Sequence, residues 1–262
     1  MSKIPTAQTV DRALDLLDLF TVYKPEWSLT DLAREANLHV SIVNRLVGSL
    51  VSRGFLRRNS ETKKYSLGFK VYRLYHVISN TTSLHNVALR YMQQLRDSTN
   101  ETVSLMVVHE NTGVTIERLL NNTGLRTIPQ IGIGKPLYVG SRKVLLAFMP
   151  KARIKEITSQ GLEKFANNTI TDPDQLMARL REIKQQGYCL SVGELTPGVK
   201  SIAVPIWKNG TVIGALSING PAFRITKGKE RNLIMQLQKV AQNIAQEMGN
   251  LSISTIDANT DR

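Results

Sequence analysis

The sequence predicts an α+β protein in two parts: an N-terminal winged helix-turn-helix, then a larger domain built on an antiparallel sheet flanked by helices. Three observations carry that prediction. Two short amphipathic segments are joined by a tight turn between Ser28 and Gly54. Residues 45–73 hold eight basic residues against a single acid, Glu61, whereas residues 1–44 hold four basic and six acidic ones. Strand-type alternation dominates beyond residue 100, with Gly/Asn turn signals between the runs.

Val10, Ala13, Leu14, Leu16, Leu17 and Phe20 recur at helical spacing, and the polar residues around Pro25 end that helix. Ser28-Leu29-Thr30-Asp31 is a helix-start signal, because Ser and an acid three residues on can satisfy orphan amides. Leu32, Ala33 and Ala36 give the second helix its apolar face, and Asn37 suits a left-handed exit. The next helix starts with Ser41 as its cap, buries Val43, Leu46, Val47 and Leu50, and closes at Gly54. His39 is placed in the turn. Phe55–Arg58 and Tyr65–Leu67 then flank a basic tip, forming a wing.

DNA binding follows from the geometry. A helix in the major groove presents the side chains opposite its buried stripe, here Ser41, Asn44, Arg45 and Ser49. Arg can pair bidentately with guanine and Asn with adenine. The wing residues Arg57, Arg58, Lys63 and Lys64 would hold phosphates, supplying affinity and salt dependence rather than sequence preference.

Residues 1–68 are read as the DNA-binding domain and 69–83 as a connecting helix that packs on a partner subunit, the alternative being that it completes the N-terminal core. Ser79–Ser83 interrupts that helix, and a second runs from Leu84 to Ser98. Residues 84–250 form the second domain, and 251–262 a frayed polar tail. Thr102–His109 and Val114–Leu120 make a hairpin, and Asn121–Gly124 turns the chain again into Leu125–Ile131. Ser141–Met149, Ile154–Thr158 and Thr171–Gln186 are helical, the last ended by Gly187. Ile202–Trp207 and Thr211–Asn219 form the clearest hairpin. An amphipathic helix from Lys229 to Met248 follows.

Composition removes several function classes. The longest apolar runs, such as Val144–Met149, are six residues or fewer, far short of the about 20 needed to span a bilayer. The N-terminus has no apolar signal core, so a cytoplasmic protein without membrane attachment is expected. One cysteine, Cys189, excludes an internal disulfide and any multi-cysteine metal site. No paired His/Cys spacing, Walker sequence or G-x-S-x-G motif occurs, and Gly132-Ile133-Gly134 is too short for a nucleotide fingerprint. No catalytic residue, metal or cofactor is therefore assigned. Among the four histidines, His39, His76, His85 and His109, only His109 lies where a base could serve the second domain. Cys189 reads as a core thiol. The net charge of +13 suits a polyanionic partner. An architectural DNA coat is an alternative, as is, more remotely, a small-acid hydrolase. The large second domain argues against the first and the missing motifs against the second.

The chain to about residue 248 resembles the IclR family of bacterial transcription regulators. The resemblance rests on Arg12–Leu17, Ser28–Ala33, Ser41–Leu46, Gly54-Phe55 and Tyr65–Gly68. In the second domain it rests on Gly132–Pro136, Lys143–Ala147, Gly187-Tyr188, Gly198-Val199, Ile202–Pro205 and Ser217–Pro221. It implies a GAF-like effector-binding domain, homodimers or homotetramers on palindromic double-stranded DNA operators, and a small carboxylate effector. Whether binding represses or activates depends on where the operator sits. The narrower similarity is to members governing sugar-acid catabolism, such as xylonate use.

By the same resemblance, the amides of Gly140 and Ser141 hold the effector carboxylate, and Val199 forms an apolar wall. Ser191 stands where many members have Asp, Ser201 where many have Cys, and Ser217 and Asn219 at two Ser positions. Arg142 replaces the usual Gly, which together with Ser191 implies a less acidic pocket. Val40 replaces a usual Lys, removing one phosphate contact. Ser191, Ser201 and Asn219 suit a polyhydroxy acid better than a two- or three-carbon keto acid.

Overall fold

The computed structural model describes residues 6–81, 83–122 and 124–257, and they form two compact units, residues 1–81 and 82–262.

The first unit orders α1 (Gln8–Asp18), α2 (Leu29–Glu35), α3 (Val40–Ser52), β1 (Leu56–Arg58), β2 (Tyr65–Leu67) and α4 (Phe69–Thr81). Ser28 caps α2: its Oγ accepts the Asp31 amide at 3.1 Å and donates to the Asp31 carboxylate at 2.7 Å. That hydroxyl, with Arg34 and Lys24 nearby, holds the Asp31 carboxyl below its ordinary range. Asn37 takes the left-handed conformation (φ 52°) between α2 and α3.

One detail departs from expectation. His39, not Ser41, caps α3, with extended backbone and Nδ1 accepting the Ser41 amide. Ser41 lies inside the first turn, its Oγ 2.8 Å from His39 Nδ1. An imidazole nitrogen serves because the residue before the helix already holds the β conformation a cap needs.

Leu16, Leu32, Val43, Val47 and Leu56 form the dry centre of this unit. Trp27 ties the α1–α2 loop to the wing as a one-residue third strand, exchanging backbone hydrogen bonds of 2.9 and 2.8 Å with Tyr65. Its indole donates to Leu19 O at 3.1 Å. Gly68 is needed where β2 ends, since a Cβ there would lie 2.2 Å from Gly54 O.

The second unit begins with α5 (Ser83–Thr99), followed by β3 (Thr102–His109), β4 (Thr112–Leu119) and β5 (Gly134–Pro136). A 3-10 turn (Gly140–Arg142) leads into α6 (Lys143–Leu146), α7 (Lys151–Ser159) and α8 (Pro173–Gln186). Then come β6 (Cys189–Val192), β7 (Val199–Lys208), β8 (Thr211–Pro221) and α9 (Lys227–Asp257). Among the described residues the sheet runs β5-β4-β3-β8-β7-β6, antiparallel throughout. Asp172 caps α8 and Gly187 (φ 78°) ends it.

The sheet buries both faces. Val103, Leu105, Ile202, Val204, Leu216 and Ile218 pack against α5 and α9. Met106, Cys189, Ala203 and Ala215 face α6, α7 and α8 from the other side. Alternation assigns the remaining residues of each strand to one face or the other.

Several segments differ from the sequence reading. Residues 125–130 join no strand, and only Ile131 bridges Thr115. The β4 edge is taken instead by Gly134–Pro136. Pro129 interrupts the earlier segment, and a proline removes a ladder donor. Thr123, part of the turn read at 121–124, lies outside the described residues. The helix read over Ser141–Met149 is a 3-10 turn and a single α-turn. β6 was not anticipated. α4 continues through Thr81, and the interruption read at 79–83 falls partly on Thr82, outside the described residues. α9 reaches Asp257, so residues 251–257 continue the helix instead of forming a polar tail; residues 258–262 are not described.

Candidate functional sites: a winged helix and a polar sheet face

In α3 the buried stripe is Val43, Leu46, Val47 and Leu50, which leaves Ser41, Asn44, Arg45 and Ser49 exposed together with Gly48. The four residues proposed as base readers therefore share the solvent side of one helix. The Ser49 hydroxyl is partly spent, donating to Arg45 O at 3.2 Å. Arg45 carries no hydrogen bond or ion pair from its side chain among the described residues.

The wing is internally braced. Arg57 Nε donates to Ser66 Oγ at 2.9 Å, and the Arg58 guanidinium lies 5.6 Å from the Tyr65 ring centre. Asn59 Oδ1 accepts the Glu61 and Thr62 amides, shaping the tip. Lys63 sits at φ 58°, and its Nζ donates to Ser60 O at 2.6 Å. All four basic wing residues are exposed. Replacing Lys63 and Lys64 together by Ala should weaken binding to every duplex and flatten the slope of log K against log salt by roughly 0.9 per lost phosphate contact. An unaltered slope in a salt titration would remove the wing tip from the phosphate contacts.

In the second unit, register brings the candidate effector residues into adjoining rows. Ser191 pairs with Ser201, Ser201 with Asn219, and Asn219 with Thr102, across β6, β7, β8 and β3. The neighbouring row is Cys189, Ala203, Ser217 and Ser104. Asn219 Nδ2 donates to the Ser104 and Ser217 hydroxyls, both at 3.1 Å. Val199, two residues before Ser201, extends the same face at half-burial.

The 3-10 turn lies over this face. Gly140 is left-handed (φ 66°), and a Cβ built on it would lie 4.0 Å from Ser191 Oγ. The Cys189 thiol donates to Gly140 O at 3.7 Å. Burial pushes that thiol up to about 11, so it stays protonated near neutrality and is no nucleophile. Ser141, Ser191 and Ser217 are buried. The hydroxyls of Ser141, Ser191 and Ser201 make no hydrogen bond among the described residues.

Lys143 and Glu194 form a buried ion pair that fastens the start of α6 to the β6–β7 loop. Arg142 reaches toward β4. Its Nε donates to Gly113 O on β4 at 2.9 Å, so its stem is drawn to that strand. Thr102 and Ser104 complete the polar rows and were not singled out from the sequence. The signal was present: in Thr102-Val103-Ser104-Leu105-Met106 polar residues stand at alternate positions, as on one strand face. Among the described residues no cluster of three or more His, Cys, Asp or Glu could hold a metal ion, and no helix is long and apolar enough to cross a membrane.

The model of the IclR helix-turn-helix domain matches residues 9–60, and that of the bacterial transcriptional regulator IclR C-terminal region matches residues 76–246. The chain belongs to the IclR family. It is 28% identical over 250 residues to the HTH-type transcriptional regulator XynR of Escherichia coli K12, covering 94% of this chain and 99% of that protein. It is 31% identical over 227 residues to KdgR of Dickeya chrysanthemi, covering 86% of this chain and 74% of that one. An IclR homolog from Microbacterium hydrocarbonoxydans, solved in complex with 4-hydroxybenzoate, superposes with a TM-score of 0.82 at 26% identity, covering 91% and 98% of the two chains. The IclR of Thermotoga maritima gives a TM-score of 0.78 at 27% identity, covering 92% and 98%. This IclR-family chain is therefore a DNA-binding transcription regulator with a C-terminal effector-binding domain.

Proposed function

We propose that the regulator reads a palindromic operator through Ser41, Asn44, Arg45 and Ser49, holds phosphates through Arg57, Arg58, Lys63 and Lys64, and answers to a polyhydroxy acid. The observation that carries the effector class is the sheet face built from Ser191, Ser201, Asn219, Ser217, Ser104 and Thr102. It sets hydroxyl groups and the Asn219 carboxamide in two adjoining rows; the Ser191 and Ser201 hydroxyls are unengaged among the described residues and able to donate and accept, while Asn219 Nδ2 is held by Ser104 and Ser217. A sugar acid presents hydroxyls along its length and suits such rows. The Gly140 and Ser141 amides would take its carboxylate, as a turn entering a helix favours an anion, and Val199 would close the apolar side. The similarity to XynR and KdgR supports the same branch of effectors.

The protein works as a cytoplasmic homodimer or homotetramer and performs no catalysis. Exposed Phe69, Tyr72, Tyr75 and Val77 on α4 support self-association. The relatives named as transcriptional regulators, together with a buried protonated Cys189, support the absence of chemistry.

A thermal-shift screen of the purified protein against sugar acids and keto acids tests the reading. A ligand that binds only the folded state stabilises it by roughly 2.7 kcal/mol at a hundredfold excess over Kd. One or more sugar acids should raise Tm, and Ser191→Ala with Ser201→Ala should remove that rise. A shift produced by keto acids alone, or retained in full by the double variant, contradicts the assignment.

A further inference from the structure

Two consecutive cations, Arg142 and Lys143, are buried where the 3-10 turn meets α6. A buried charge is ordinarily paired, because leaving water is costly without a compensating partner. Lys143 has Glu194. Arg142 has no carboxylate among the described residues. The two buried glutamates among the described residues are engaged elsewhere, Glu101 with Arg224 and Glu194 with Lys143.

The geometry of Arg142 is specific. Only Nε is spent within the chain, on Gly113 O; Nη1 and Nη2 make no hydrogen bond among the described residues. The stem needs the glycine it lies against, since a Cβ at Gly113 would fall 2.9 Å from Arg142 Cδ. Burial alone pushes the guanidinium down to about 10, with no neighbouring charge acting on it. It is still protonated at neutral pH.

A second observation stands on the same strand face. Thr115 is two residues along β4 from Gly113 and so points to the same side. It is fully buried, and its hydroxyl has no hydrogen-bond partner among the described residues. Such orphan groups are uncommon in folded proteins. A guanidinium with two nitrogens unbonded among the described residues and an orphaned hydroxyl on the same strand face can both donate to one acceptor, and beside an unpaired guanidinium an anion suits that place.

We propose that Arg142 and Thr115 form an anion subsite that takes a carboxylate or phosphate group. The anion is either a second acid group on the effector, a refinement that rests on the effector reading above, or a separate small anion, which does not. A planar guanidinium suits both groups, because it can give two parallel hydrogen bonds.

The test uses the full chain, with inorganic phosphate as the probe against chloride at equal ionic strength. At a hundredfold excess over Kd the wild type should gain roughly 5–10 °C in Tm. Most of that gain should vanish in Arg142→Met and shrink in Thr115→Val, which keeps the shape of the side chain and guards against misfolding of the first variant. Basic residues of the first unit are common to all three proteins, so their response to phosphate cancels. Equal gains in all three would overturn the proposal. D-glucarate and D-gluconate then separate the sources. A larger shift with the diacid, lost in Arg142→Met, assigns the anion to the effector; gluconate and phosphate shifts that add assign it to a separate ion. A phosphate shift that depends on Arg142 while no sugar acid has any effect would keep the subsite and sink the sugar-acid reading.

Discussion

Arg45→Ala is expected to weaken discrimination between the operator and unrelated DNA. A bidentate arginine–guanine pair contributes about 1–3 kcal/mol of discrimination, which is roughly a 5- to 150-fold loss in specific affinity. Non-specific binding should fall far less, since it rests on several phosphate contacts. The stability of the fold should not change, because Arg45 is exposed and its side chain makes no hydrogen bond or ion pair among the described residues. Competition titrations with operator and random duplexes measure both affinities. An unchanged ratio would mean that α3 is not the element reading bases.

The second large effect concerns Glu194→Gln. Lys143 is wholly inaccessible and Glu194 nearly so, with side-chain exposures of 0% and 9%. Removing one partner of a buried pair leaves an uncompensated charge, at a cost of about 3–5 kcal/mol. For a unit of this size that lowers Tm by roughly 6–20 °C. Replacing both partners by apolar residues, Lys143→Met with Glu194→Leu, should recover most of the loss, since a buried pair and a well-packed apolar pair are close in energy. The pair also anchors the start of α6, directly after the Gly140-Ser141 turn. Glu194→Gln should therefore loosen effector binding as well, whereas a double variant that restores stability need not restore the position of that turn. Melting curves for the two proteins decide the matter. A drop in Tm shared equally by both would show that the loss lies in packing and not in an orphaned charge.

The first unit was largely legible in the sequence because its signals are local. The Ser28–Asp31 cap, the left-handed Asn37 and the buried stripe of α3 are each set by residues within one or two turns of each other. The misplaced cap shows the limit: His39 and Ser41 stand two residues apart, and only the backbone conformation of His39 decides which one caps.

The sheet of the second unit was legible in part. The β7–β8 hairpin is joined by a two-residue turn at Asn209-Gly210, a strong short-range signal. β6 is four residues long and gains its meaning from pairing with β7. Nothing within Cys189–Val192 distinguishes it from a loop. The same holds for Leu125–Ile131, whose apolar content suggested an extended run although the sheet edge was filled by Gly134–Pro136.

The candidate effector residues came from resemblance, and strand pairing supplies the physical reason they belong together. Ser191, Ser201 and Asn219 are far apart along the chain but adjacent in register. Arg142 illustrates the converse. As a sequence position it suggested only a change in pocket charge; the side chain's direction toward Gly113 required the fold.

On this reading one chain couples operator recognition to a small acid. A genome-wide binding map of the protein in cells, with and without a sugar acid that raises its Tm, tests that claim most directly. Occupancy should be confined to one or a few palindromic sites and should change severalfold when the acid is supplied, and the Arg45→Ala protein should lose those sites. Binding spread over many unrelated sequences, indifferent to the acid, would contradict it and favour an architectural role.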